Sequence, residues 1–358
     1  MGQRVLFAVS YHGFGHLGQT APVIQALKRE KPELEIIVRS SVPAFKLREK
    51  LGQRIQIQHA DLDIGMIQKD ALHIDFDKTA HRYAQFHQQW EKLLYGEKNA
   101  LLKLSPDLII ANIPYLILAA AQQLSIPTIA FCSLNWAEIY QYFFGKLPGS
   151  EAILKQMLSA YNQALYFLQP APAMKMPGIE NALPIGPVAG IGRDVSDELR
   201  SKLALHSSDA LVLVSLGGME LQTACEDWPR FRGVRFLVPQ SWNSQHPDTS
   251  PLEALGYSFA DLMRSSDVLI AKPGYGSFVE AACTATPVLY LPRRDWPEAK
   301  VLIDWLNEHG TCQEISPAKF QAGYLHDSIR KVMNRTERRE IAPTGVYEAL
   351  DKICPYLN

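Results

Sequence analysis

"DVLIAKPGYGSFVEAACTATPVLYLPRRD", residues 267–295, reads as one complete strand–helix–strand unit. "DVLIA" is a short apolar run ending at the loop Lys272-Pro273-Gly274. A run of that kind, apolar on both faces, marks an interior strand of a parallel sheet. "FVEAACTA" has helical spacing, and "PVLYLPR" is the next strand. Gly274 and Gly276 strip the loop of side chains, so backbone N–H groups can approach a ligand closely. The helix is expected to begin near Ser277, whose hydroxyl would cap it or touch a phosphate. Glu280, one turn later, is placed to hold a ribose diol.

The same alternation extends in both directions. "RVLFAVS", "LEIIVRS", "PDLIIANI" and "IPTIAFC" read as strands interleaved with helical segments. Beyond the middle of the chain, "ALVLVSLGG" and "VRFLVPQ" precede the opening unit. Strands alternating with helices predict doubly wound parallel sheets. Between the two runs, residues 169–193 ("QPAPAMKMPGIENALPIGPVAGIGR") are crowded with Pro and Gly. That composition is expected to break regular structure, and the linker is placed there. At 358 residues the chain is too long for one ordinary core.

Near the N-terminus, Gly13-Phe14-Gly15-His16-Leu17-Gly18 has the G-x-G-x-x-G spacing of a dinucleotide-binding turn. That motif also requires an acidic residue about 20 positions on, at the end of the second strand. The second strand here ends Val38-Arg39-Ser40-Ser41. Arg39 leaves only an NADP reading, and a nicotinamide-binding domain does not explain the second loop at 272–277. His12 and His16 suit a loop with its own chemistry, because an imidazole of ordinary basicity removes a hydroxyl proton at neutral pH.

Composition narrows the function further. The formal net charge is -1, which offers no broad basic field for nucleic acid. The five cysteines are scattered without a C-x-x-C pair, as expected of reduced thiols in a cytoplasmic protein. "LILAAA" at 116–121 is far short of a membrane span, and no integral membrane segment is expected. No metal site is expected from the two histidines, since a Gly-rich loop fixes no coordination geometry.

Residues 265–312 resemble the donor-binding signature of GT-B-fold glycosyltransferases, as found in UDP-glycosyltransferases and the N-acetylglucosaminyltransferase of lipid II synthesis. The matching positions are Asp267, Gly274, Gly276, Ser277, Glu280, Pro287 and Asp295. "HGFGH", "LDIGMIQKDALHIDFDKTAHRY" and residues 105–140 are more similar to the glycosyltransferase-like domain of plant L-arabinokinases. The resemblance implies an α/β GT-B fold: two facing Rossmann-like domains, each a doubly wound parallel sheet, with a cleft between them. Residues 1–180 would bind the acceptor and 190–345 the nucleotide sugar, with 346–358 packing back on the first domain.

The implied activity is transfer of a sugar from a UDP-sugar to an acceptor hydroxyl of unidentified chemistry, without metal or other cofactor and with inversion. His16 matches the family's general base, with His12 the second candidate. Asn112 stands where many members carry the aspartate that orients that base. An amide cannot stabilise an imidazolium as a carboxylate does, so either another acid (Asp61, Asp63 or Glu138) supplies the charge, or the base is weak, or activation relies on the substrate. The donor contacts would be Gly217, Gly218, Gly274, Tyr275, Gly276, Ser277, Glu280, Arg293 and Asp295. Trp296 replaces the glutamine that often follows the aspartate. Two other readings remain open: a sugar-nucleotide 2-epimerase, and a non-catalytic sugar-nucleotide-binding module.

Overall fold

A computed structural model describes residues 2–69, 73–217, 225–334 and 339–357. The chain divides into two compact units, residues 1–188 with 344–358, and residues 189–343.

The first unit begins with β1 (Arg4–Val9), α1 (Gly15–Glu30), β2 (Glu35–Ser40), α2 (Ala44–Leu51) and β3 (Gln56–His59). It continues with α3 (Phe76–Gln88), α4 (Trp90–Leu104), β4 (Leu108–Asn112), α5 (Tyr115–Gln122) and β5 (Thr128–Phe131). α6 (Trp136–Phe144), α7 (Ser150–Asn162), β6 (Tyr166–Pro170) and β7 (Ala182–Ile185) follow. Its strands pair in parallel in the order β3-β2-β1-β4-β5-β6-β7. The central strands β4 and β5 are buried at every residue, because helices cover both faces. Residues 169–193 depart from the reading of an unstructured linker: Pro170 ends β6, Pro184 lies within the edge strand β7, and the other Pro and Gly lie in the segments on either side of β7. Pro184 is tolerated there, since an edge strand has no partner on one side to receive its missing N–H.

The second unit contains α8 (Ser196–Lys202), β8 (Ala210–Ser215), β9 (Val234–Val238), β10 (Thr249–Pro251), α9 (Phe259–Arg264) and β11 (Val268–Ala271). α10 (Tyr275–Cys283), β12 (Val288–Tyr290), α11 (Pro297–His309), β13 (Cys312–Glu314), α12 (Pro317–Gln321) and α13 (His326–Met333) complete it. Its sheet is also parallel, in the order β10-β9-β8-β11-β12-β13. Two apolar clusters cover its two faces.

The chain then returns to the first unit through α14 (Gly345–Ile353). Val346, Leu350 and Ile353 join the core beside Ile24 and Leu27 of α1. Each such side chain contributes roughly 1.5–3 kcal/mol when buried. Gly345 is required where α14 starts, because a Cβ there would lie 1.9 Å from the Gly186 carbonyl oxygen. Among the described residues no helix is long and apolar enough to cross a membrane.

Candidate functional site

Each sheet reverses its strand order once, and that is where ligands bind in such folds, outside the carboxyl ends of the strands. In the first unit the reversal falls between β1 and β4, where Val9 pairs with Asn112. The loop after β1 carries His12 and His16, so topology alone brings both histidines to the end of β4. In the second unit it falls between β8 and β11, where Ser215 pairs with Ala271. Gly217 follows the first of those strands and Lys272-Pro273-Gly274 the second.

His16 is the second residue of α1 and is only 8% exposed. Its Nδ1 lies 2.7 Å from Asn112 Oδ1. Asn112 Nδ2 donates to Gln19 Oε1 at 3.1 Å, and Gln19 Nε2 donates to Ser133 Oγ at 2.7 Å. That chain turns the Asn112 oxygen toward His16, so Nδ1–H donates and Nε2 keeps the lone pair. Burial first, then repulsion from His12, lowers the His16 pKa to about 4, against opposing contributions from Asn112 and Asp63. The ordinary histidine basicity expected of this position is therefore not what the site provides. An uncharged amide is its nearest partner, and the desolvated ring stays neutral.

His12 sits differently. Its Nε2 lies 3.8 Å from Asp63 Oδ1, and its ring meets Trp136 edge-on at 4.9 Å between centroids. Asp63 Oδ2 accepts from Trp136 Nε1 at 2.7 Å and from the Ser10 hydroxyl. Burial pushes the Asp63 carboxyl up, yet donors from His12, Ser10 and Trp136 outweigh it and hold it below the usual range. Gly65, at φ +53°, closes over the ring: a Cβ there would lie 1.7 Å from His12 Nε2. Of the three acids considered as charge donors, the structure brings Asp63 to the histidines, and it faces His12.

In the second unit, α10 starts at Tyr275, and Gly274 in extended conformation is its N-cap. Ser277 is thus the third helical residue rather than the cap, and Glu280 lies in the second turn and is buried. The N-cap, Gly274, has no side chain with which to cap that turn. Gly276 has open space where a Cβ would stand. Gly217, at φ +86°, lets Lys272 pass, since a Cβ there would come within 2.8 Å of Lys272 Cε. Gly218 lies outside the described residues.

Leu291 N–H donates to the Ala271 carbonyl at 2.9 Å, so the loops after β11 and β12 leave the sheet side by side. Two residues on, the Arg293 guanidinium is buried, and among the described residues its Nε and Nη2 have no hydrogen-bond partner. Burial lowers its pKa, against the attraction of Asp295 and Glu298. It packs over Trp296 at 4.5 Å, and Trp296 Nε1 donates to Glu298 Oε2 at 3.2 Å. Arg294 turns away to an exposed pair with Glu314. Sequence reasoning named Asp63 only as one of three alternatives, and missed Gly65, Trp136, Gln19 and Lys272 as site residues. Lys272 alone had a readable signal, as a cation at the end of a strand entering a glycine turn. Among the described residues no group of three or more His, Cys, Asp or Glu could hold a metal ion.

No family model matches the chain. L-arabinokinase of Arabidopsis thaliana is 22% identical over 301 residues, which is 82% of this chain and 29% of that protein. The chain thus spans less than a third of that relative's length. CalG4, the calicheamicin glycosyltransferase, superposes with a TM-score of 0.62 over 100% of this chain and 99% of its own, at 13% identity. UDP-N-acetylglucosamine 2-epimerase of Methanocaldococcus jannaschii gives 0.53 over 99% and 100%, at 14% identity. The two parallel sheets and these likenesses establish a GT-B fold.

Proposed function

We propose that the protein is a glycosyltransferase that moves a sugar from a nucleotide-diphosphate sugar, a UDP-sugar in the first instance, to an acceptor hydroxyl. One observation carries this reading: the buried Arg293 guanidinium, with Nε and Nη2 unpartnered among the described residues, on the loop after β12 that leaves the sheet alongside the loop opening α10. A buried cation with open N–H groups is costly unless an anion meets it. A diphosphate supplies that anion and accepts from the helix N–H groups as well. Lys272, drawn over Gly217 at the same edge of the sheet, adds a second cation. As the anomeric C–O bond breaks, negative charge grows on the leaving diphosphate, and these fixed positive groups stabilise it without reorganising. No metal is needed in this scheme.

The first unit supplies the other half of the chemistry. An imidazole in the loop after β1 takes the acceptor's proton while the acceptor oxygen attacks the anomeric carbon. A single displacement of this kind inverts that centre. Proteins with this fold include both the calicheamicin glycosyltransferase CalG4 and a UDP-N-acetylglucosamine 2-epimerase, and the test separates the two activities.

The test is incubation with UDP-glucose, UDP-galactose or UDP-N-acetylglucosamine and assay for free UDP. Release of UDP, stimulated by an acceptor hydroxyl, is expected. Interconversion of the sugars without acceptor would replace this reading by the epimerase one. Binding without release from any of the three would leave a binding module.

A further inference from the structure

We propose that His12, not His16, is the base of the transfer, and that Asp63 is the positioning residue that holds it for that task. The proposal rests on the glycosyl-transfer reading and names which of the two imidazoles performs it. Asp63 is fixed before His12 is considered: Trp136 Nε1 donates to its Oδ2 at 2.7 Å, and the Ser10 hydroxyl donates to the same oxygen. Its other oxygen, Oδ1, is left facing His12 Nε2 at 3.8 Å. The Asp63 side chain is 5% exposed and that of His12 is 17% exposed, so the acid lies behind the ring and the ring reaches the surface. Gly65 lies against the same Nε2 edge, and only a residue without a Cβ leaves space for the ring there.

Since Nε2 is the ring nitrogen nearest the carboxylate, His12 is assigned the Nε2–H tautomer, with its lone pair on Nδ1. His16 has the opposite tautomer, a neutral amide for a partner and 8% exposure. His12 has a fixed carboxylate beside it, whereas His16 has the neutral Asn112 amide as its partner and the repulsion of His12, with Asp63 only the smallest of the influences on its pKa. The step balances: the acceptor O–H proton passes to His12 Nδ1, and the oxygen lone pair forms the new bond to the anomeric carbon. The bond from that carbon to the diphosphate oxygen breaks, and its electron pair leaves with the nucleoside diphosphate.

Asp63→Asn tests the pairing, because the Trp136 indole can only donate. The carbonyl oxygen of the new amide must stay with Trp136, which turns the NH2 toward His12 and reverses the tautomer that Nε2 can hold. Long-range proton–nitrogen spectra of the full chain, labelled at histidine, should show His12 as Nε2–H in wild type and as Nδ1–H in the variant. Rates of UDP release from the best of the three UDP-sugars should fall about 100-fold or more in Asp63→Asn and His12→Gln, with donor KM within about twofold. His16→Gln should lose at least tenfold less than His12→Gln.

His12 in the Nδ1–H form in wild type overturns the pairing, even if the variant fails to fold. A normal rate in Asp63→Asn, or a larger loss from His16→Gln than from His12→Gln, overturns the assignment of the base. The tautomer is measured without substrate, so it reports on the pairing alone. Absence of turnover by wild type would overturn the transfer reading and the base role with it.

Discussion

His16 Nδ1, in the first turn of the helix that follows β1, and Asn112 Oδ1, at the carboxyl end of the adjacent β4, stand 2.7 Å apart, and the bond between them carries no charge. The consequence is a histidine that refuses a proton. Its folded pKa, about 4, lies below the ordinary 6.5, so the unfolded chain binds a proton that the native chain does not. This contribution to stability is complete above pH 6.5 and is lost as pH falls toward 4, amounting to about 3 kcal/mol. Denaturant titrations of wild type and His16→Gln across that window should show the decline in wild type and a flatter profile in the variant. Asn112→Asp should raise the His16 pKa and shrink the loss, because a carboxylate then faces Nδ1. Equal slopes in all three proteins would contradict the geometry.

Gly65→Ala should displace the His12 ring. Its Cβ would fall 1.7 Å from Nε2, on a backbone at φ +53° that alanine rarely adopts. Turnover should fall with that of His12→Gln, at a stability cost of roughly 1–3 kcal/mol. Circular dichroism and the UDP-release assay together check this: a variant with unchanged turnover would mean the ring does not need this cradle.

Arg293→Met separates binding from stability. Removing a cation whose Nε and Nη2 are buried without partners should leave the melting temperature at or above that of wild type. Affinity for UDP, measured by calorimetry, should weaken roughly 10- to 100-fold, as expected for hydrogen bonds to a charged group. A strongly destabilised variant with unchanged affinity would assign Arg293 to the scaffold.

α14 should behave as part of the first unit's core. Leu350→Ala removes a side chain 3% exposed and should cost roughly 2–5 kcal/mol in urea denaturation. Gly345→Ala should also destabilise, since its Cβ would stand 1.9 Å from a carbonyl oxygen of the segment it packs on.

Much of the fold was legible because its strands are buried on both faces. β4 and β11 read as apolar runs, and glycine marked the turns after β1, β8 and β11. β7 was not legible: it is a half-exposed edge strand containing Pro184, and it is defined by its pairing with β6 rather than by its own residues. The helix start at Tyr275 was displaced from the expected Ser277 because extended Gly274, not a hydroxyl side chain, ends the loop. At the histidines, sequence supplied the residues but not the pairing. Nothing in "DLDIG" shows that Asp63 will face His12, since the contact depends on Trp136 and Ser10 reaching the acid from two other segments. The low basicity of His16 is likewise a product of burial.

The most direct measurement is a crystal structure of the protein with UDP bound. The account predicts both phosphates at the carboxyl edge of the second sheet, with oxygens about 3 Å from the first N–H groups of α10 and from the Arg293 guanidinium. A nucleotide seated away from that turn, or a diphosphate with no contact to either group, would contradict it.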